Sequence, residues 1–250
     1  MHMYFKATAL LYALSLFTLI ILLVGIYANV YLWRKGKAKS LHHKLRYGPM
    51  LKALILDGLL QVQLFKQSIL RWVMHLCIFW GFLGLLAHTT FLAIMSHFLS
   101  PHLSFTQYIF LGPGRQILDV WGDLWGFILL IGIAIALLRR YIFKAEQLNT
   151  IASDTTTILF LLFIVLTGFF AEAQRLAPLD VEPYMRYSFI GSPLASWIRA
   201  MPSLAINYYS IVWIHTLISL VFLAYIPFSK MFHALVSPVE IALDASEKTD

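Results

Sequence analysis

The sequence predicts an all-α integral membrane protein with five transmembrane helices, and three observations carry that prediction. Hydrophobic residues make up 60% of the 250 positions and charged residues only 12%, about half the charged share of an ordinary globular domain. The few charges bracket long intervals that contain none. Lysine and arginine also concentrate in alternate connections between those intervals, as topogenic charges do.

Each element follows from one interval. A bilayer core about 30 Å thick needs about 20 helical residues. The stretch between Lys6 and Arg34 holds a span at 8–32, and that between Arg71 and Arg115 holds one at 72–97. The latter gap is long enough for two spans, but Pro101, Gly112, Pro113 and Gly114 break its second half. Asp123 to Arg139, extended backwards by Val120, Trp121 and Gly122, gives 118–138. Asp154 to Glu172 gives 152–172, and Arg199 to Lys230 gives 207–229. Together they form one five-helix domain over 1–250. The first apolar run is too long for a signal-peptide core and no small-residue cleavage motif follows it, so it is expected to persist as a helix.

The connections set the orientation. Arg34, Lys35, Lys37, Lys39, Lys44, Arg46, Lys52 and Lys66 lie between the first two spans, opposed by Asp57 alone. Arg139, Arg140 and Lys144 follow the third span, and Lys230 the fifth. The other side carries a mixture, including Arg115, Asp119, Asp123, Glu172 and Arg175. The positive-inside rule then places the amino terminus outside and the carboxyl terminus in the cytoplasm. Pro49–Lys66 mixes leucines with Lys52, Asp57 and Gln61 and predicts a helix lying in the cytoplasmic interface. The long outer connection Ala173–Ile206, with four prolines, is expected to cap an outward-facing site, and the charged tail Asp244–Asp250 to be loose.

Composition excludes some functions. The net charge of +7, set among such apolar runs, points to anionic lipid rather than to nucleic acid. The single cysteine, Cys77, excludes a disulfide framework, a cysteine-ligated iron–sulfur cluster within this chain and covalent CxxCH haem attachment.

Four histidines carry the chemistry. Of the nine in the chain, His75 and His88 fall on the second span, and His215 and His233 on the fifth helix. Imidazole at membrane depth is costly unless paired or ligating, and marks a functional site by default. His88 lies about 20 Å along the helix from His75, and His233 about 27 Å from His215, at about 1.5 Å per residue. Because the two helices run in opposite directions, His75 comes level with His233 near the inner face and His88 with His215 near the outer face. A zinc or non-haem iron site would want carboxylates or further ligands at each level, and neither interval contains Asp or Glu. A bis-histidine haem b needs only two axial nitrogens and an apolar slot. Gly81 and Gly84 would let a macrocycle approach the backbone of the second helix. At about 100° per residue, His215 and His233 share a face, whereas His75 and His88 lie about 140° apart, a mismatch for tilt or a kink at Pro227 to absorb. A haem-free anchor and a proton or metal transporter remain as alternatives.

The stretch WIHTLISLVFLAYIPFSKMFHALVSPV (Trp213–Val239) resembles the fifth helix of the respiratory nitrate reductase gamma subunit, with its two histidines and proline-containing turn. RWVMHLCIFWGFLGLLAH (Arg71–His88) and LTGFFAEAQRLA (Leu166–Ala177) are more similar to a sister branch, the membrane cytochrome b subunits of heterodisulfide reductase and of the sulfite-reduction-linked membrane complex. The wider spacing of the first histidine pair favours that sister branch. The resemblance, over roughly 10–240, implies a dihaem b, quinone-reactive subunit in the plasma membrane of a prokaryote, with a cytoplasmic iron–sulfur partner and room for further membrane or periplasmic electron-transfer subunits. Carried over by position, His75 with His233 would ligate the inner haem and His88 with His215 the outer one. Arg71 and Lys230, each about one turn before an inner ligand, are candidates for the inner propionates, and Glu172 and Arg175 for a quinone of menaquinone type near the outer haem.

Overall fold

The computed structural model describes residues 2–36, 46–97, 99, 103–143, 152–178, 187–201, 203 and 206–247. Among them the chain is all-α, with five helices long and apolar enough to cross a membrane. These are α1 (His2–Gly36), α4 (Ile69–His97), α6 (Gly114–Leu137), α7 (Ala152–Leu176) and α9 (Tyr208–Tyr225), preceded or separated by the shorter α2 (Tyr47–Ala53), α3 (Val62–Gln67), α5 (Ser104–Leu111) and α8 (Gly191–Ala200). The last helix is α10 (Phe232–Glu247). Each long helix falls on a predicted span because a continuous apolar run in lipid must satisfy its backbone internally. Leu16, Phe17, Val24 and Tyr27 of α1 are exposed, as lipid-facing side chains are.

The chain divides into two compact units. The first comprises 1–72, 150–160 and 217–250. In it α10 packs on α2 and on the wider turn Leu54–Leu59, where Gly58 lies so close to Pro238 that a Cβ would sit 3.1 Å from it. The interface helix predicted over Pro49–Lys66 is helical but broken: Gln61 adopts φ 52°, ψ 44°, a left-handed conformation that ends one helix and starts the next. Trp72 Nε1 donates to Leu60 O at 2.8 Å, and its ring meets Phe65 edge-on. Gly25 of α1 lets Pro227 approach, since a Cβ there would stand 2.5 Å from the proline ring. Asn29 Nδ2 donates to Gly25 O and to Pro227 O, at 2.8 and 3.1 Å.

The fifth helix does not run on to His233. It ends at Tyr225 and passes through a 3-10 turn, Ile226–Phe228, to an extended Ser229. Proline at 227 cannot donate to the helical ladder, and Ser229 Oγ accepts from Met231 N–H to start α10. His215 and His233 therefore belong to different helices, and the uninterrupted helical register from which a shared face was expected is broken at 226–229. The expectation of a loose tail is corrected in part, since α10 continues through Glu247.

The second unit comprises 73–149 and 161–216. Its core contains Leu118, Leu129, Ile133, Leu161, Val165, Phe169 and Ala173. Two glycines bring α4 and α6 into backbone contact: a Cβ on Gly81 would stand 2.6 Å from Leu129 N, and one on Gly132 would stand 2.8 Å from Ile78 N. In lipid, where apolar burial gives no advantage between helices, such close approach supplies the packing energy. Within the long outer connection, α8 was not anticipated. It docks on the end of α7 through Ala173, Leu176, Ala195 and Ile198.

Candidate functional site

His88 and His215 both lie in the second unit, and their surroundings follow one pattern. His88 sits against Gly122 of α6, where a Cβ would meet its Cε1 at 3.1 Å. It also hydrogen-bonds the backbone of Leu118, one turn before that glycine. His215 sits against Gly168 of α7, where a Cβ would meet its Cε1 at 3.2 Å. It engages the backbone of Ile164, again one turn before the glycine. In each case a glycine opens the helix surface and the carbonyl four residues earlier receives the ring.

Thr167 adds to the second case. Its hydroxyl donates to Phe163 O at 2.6 Å, so toward His215 Nδ1, 3.0 Å away, it acts as the acceptor. Nδ1 then carries the proton. For His88 the buried Nε2 has no hydrogen-bond partner, so the Leu118 contact is made by Nδ1. Held through Nδ1–H, the His88 ring presents Nε2 as an unshared lone pair, the arrangement found in metal-binding histidines. A buried ring nitrogen with no partner is costly in an apolar environment unless something else occupies it.

His75 and His233 are placed differently. His75 lies within α4 in the second unit, while His233 lies in the first turn of α10 in the first unit and is exposed. His233 Nδ1 donates to the carbonyl of Lys230 in its own chain segment. Arg71 is half-buried, one turn before His75 on α4. Gly81 and Gly84, expected to border a cofactor, are filled by α6 instead: Gly81 by the Leu129 backbone and Gly84 by the Trp125 ring. Trp121 Nε1 also donates to Gly84 O at 3.1 Å. Among the described glycines, those that face histidines are Gly122 and Gly168, and only the neighbouring helices reveal them.

Beside these histidines lies a charged cluster built from α6, α7 and the segment before α8. Glu172 and Arg175 are brought together, with Arg175 Nη2 3.5 Å from Glu172 Oε1. Arg175 also reaches Asp119 Oδ1 at 3.3 Å, which Arg115 Nε holds at 2.9 Å. Ser188 Oγ donates to Glu172 Oε1 at 2.8 Å, and Asp123 Oδ2 accepts from Ile190 N–H at 2.6 Å. Sequence reasoning counted Asp119 and Asp123 among loop charges. Both lie within α6, which begins earlier than predicted, at Gly114, and both are buried. The signal was present in the i, i+4 spacing of Arg115, Asp119 and Asp123 ahead of an apolar run.

A helical, multi-pass membrane protein with histidine sites set into its spans belongs to the class of integral membrane subunits. More particularly, the chain belongs to the HdrE family of dihydromethanophenazine:CoB--CoM heterodisulfide reductase subunits, whose model matches residues 51–241. It is 32% identical to the HdrE protein of Methanosarcina thermophila across 84% of this chain and 71% of the relative. It is 28% identical to the EtfAB:quinone oxidoreductase of Syntrophomonas wolfei, over 91% of this chain but 32% of that longer protein. With the "Probable iron-sulfur-binding oxidoreductase FadF" of Bacillus subtilis the identity is 27%, over 95% of this chain and 34% of the relative. No solved structure matches the chain. Of the two branches suggested by the sequence motifs, the heterodisulfide reductase branch is the one matched. The chain is thus a multi-pass plasma-membrane subunit of the oxidoreductase type, from a family that works with partner subunits.

Proposed function

We propose that this chain is a dihaem cytochrome b of the kind shared by the heterodisulfide reductase and nitrate reductase gamma branches, carrying electrons between a membrane quinol and a cytoplasmic iron–sulfur subunit. The observation that carries the reading is the buried Nε2 of His88, unpartnered while Nδ1 is held by α6. The donor set fits a haem, since bis-imidazole iron asks each histidine for one neutral nitrogen. No group of three or more His, Cys, Asp or Glu among the described residues could hold a bare metal ion.

In this proposal His88 and His215 hold the haem of the outer level, and His75 and His233 that of the inner level. When bound, each haem supplies a one-electron redox centre. The work left to the protein is to orient imidazoles, keep water away and hold charge. Leu118 O and Thr167 Oγ1 fix the tautomers of His88 and His215. Arg71 and Lys230 are the proposed counter-charges for inner propionates. Glu172 and Arg175 are the proposed contacts of a quinone head group, of menaquinone type, through a charge-assisted hydrogen bond. The amino terminus is assigned to the outside and the carboxyl terminus to the cytoplasm. An iron–sulfur partner docking there is supported by the longer relatives, whose single chains match this one over about a third of their length, and one of which is named as iron-sulfur-binding.

A dithionite-reduced-minus-oxidised spectrum with haem quantification tests the proposal. Two b-type haems per chain are expected, and a colourless protein would overturn it. The family description favours a second reading of the donor, a dihydrophenazine in place of a quinol. Reducing the membranes with each donor in turn decides between them.

A further inference from the structure

Three carboxyl groups and two guanidinium groups meet where α6, α7 and the segment before α8 converge. Arg115 and Arg175 both pair with Asp119, and Arg175 also reaches Glu172. Asp123 is left without a cation among the described residues, although it is completely buried at 0% exposure. Its Oδ2 is satisfied by the amide N–H groups of Ile190 and Gly191, at 2.6 and 3.4 Å. Its Oδ1 is buried with no donor at all. The carboxyl of Glu172 lies beside Asp123: Gly191, whose N–H donates to Asp123 Oδ2 at 3.4 Å, would carry a Cβ 2.7 Å from Glu172 Cδ.

Two carboxylates have acceptors only and cannot bond to each other. One proton between them changes three things together. It supplies Asp123 Oδ1 with the donor it lacks, relieves the repulsion of two buried anions, and leaves two negative charges opposite two positive ones. Each change removes a cost that is high in an apolar medium.

The location gives the proton a use. Asp123 directly follows Gly122, on which His88 rests, and Glu172 lies one turn after Gly168, on which His215 rests. We propose that Asp123 and Glu172 form one proton-holding unit, the site that takes protons from, or returns them to, a quinol-class head group oxidised beside His88 and His215. Oxidation of a hydroquinone to a quinone releases two electrons and two protons. Holding one proton at rest, the unit releases it to water, takes an O–H proton of the quinol in its place, and repeats this for the second, so that two protons leave and the unit ends as it began. The electrons leave singly to a one-electron carrier of the complex. Gly191 is part of the device, because a Cβ there would stand 2.7 Å from Glu172 Cδ, so the first turn of α8 closes directly over the pair.

The use of the proton rests on the quinol reading, but its presence does not, which keeps the two separable. Infrared difference spectra of the purified complex, in water and in deuterium oxide, should contain the carbonyl stretch of a protonated carboxylic acid that shifts on deuteration. Asp123→Asn and Glu172→Gln should each abolish it, because the new amide donates to the remaining carboxylate and makes the proton unnecessary. Ser188→Ala, which removes neither carboxyl, should keep the band and reports on folding. Quinol-dependent haem reduction should slow by about a hundredfold in both carboxyl variants, the scale of a lost proton-transfer group, while haem content stays at the wild-type value. Absence of the band in the wild-type complex, or its survival in either carboxyl variant, would overturn the shared proton. A band that behaves as expected with unchanged haem reduction would overturn its assignment to the quinol.

Discussion

His88 and His215 of the second unit and the exposed His233 of the first are built by different means. His88 and His215 are each clasped by another helix, through a glycine that admits the ring and a carbonyl one turn earlier that holds Nδ1. His233 takes its Nδ1 partner, Lys230 O, from the turn that carries it, just after a helix has been interrupted at Pro227. The first kind of site is positioned by helix packing, and the second by a local turn. The contrast implies that substitutions on α6 and α7, far from either histidine in sequence, will disturb the first kind of site and leave the second intact.

The largest expected effect comes from the ligands themselves. His88→Ala or His215→Ala should reduce haem from two per chain to one and abolish electron entry from quinol, as measured by haem extraction and by donor-dependent reduction. Loss of both haems from either variant would show that the two levels do not assemble independently. Next come the glycines. A leucine at Gly122 or Gly168 cannot be fitted without pushing the imidazole aside, because even a Cβ would lie 3.1 or 3.2 Å from the ring. Either change should cost the same haem as the corresponding histidine change, while Gly→Ala at the same sites should retain it with a shifted spectrum. If the leucine variants bind two haems normally, the packing account of these sites is wrong.

A change in the first unit provides the reverse test. Gly25→Leu would place a side chain where Pro227 now lies, an overpacking expected to cost about 1–3 kcal/mol. It should lower the thermal midpoint of the detergent-solubilised protein and leave the spectrum of the His88/His215 haem unchanged. An altered spectrum there would mean that the two units are not separable in this sense.

How far the sequence could be read follows the same division. The spans were legible because charge is excluded from lipid, so the gaps between charges trace the helices. His88 and His215 were legible because a polar ring in an apolar run needs a reason. What grips them was not: Leu118, Gly122, Ile164, Thr167 and Gly168 are ordinary residues of other helices, made relevant only by packing. The contact of Gly81 and Gly84 with α6 was not legible for the same reason, since small residues in a span look alike whether they meet a cofactor or a helix. The broken register after Tyr225 was half legible, because Pro227 was seen as a kink while the extended Ser229 and the new helix were not. Asp119 and Asp123 fell inside the expected span 118–138 but were counted with the charges that orient the connections, and only the neighbouring segments show that both are buried.

The smallest effect is also the most specific. Thr167→Val keeps the shape of the side chain and removes the oxygen that accepts from His215 Nδ1. An acceptor on Nδ1–H makes an imidazole a stronger donor through Nε2 and favours oxidised iron. Removing it should therefore raise the midpoint potential of the haem on His215. A neutral hydrogen bond is worth about 1 kcal/mol net, and about 59 mV corresponds to a factor of ten for a one-electron couple, so the shift should be on the order of tens of millivolts. The Ile164 backbone contact remains and limits it. The other haem should not move, because neither His75 nor His233 shares this partner. A potentiometric titration resolving both haems measures the two potentials at once, and a shift in the wrong haem would reverse the assignment of His215.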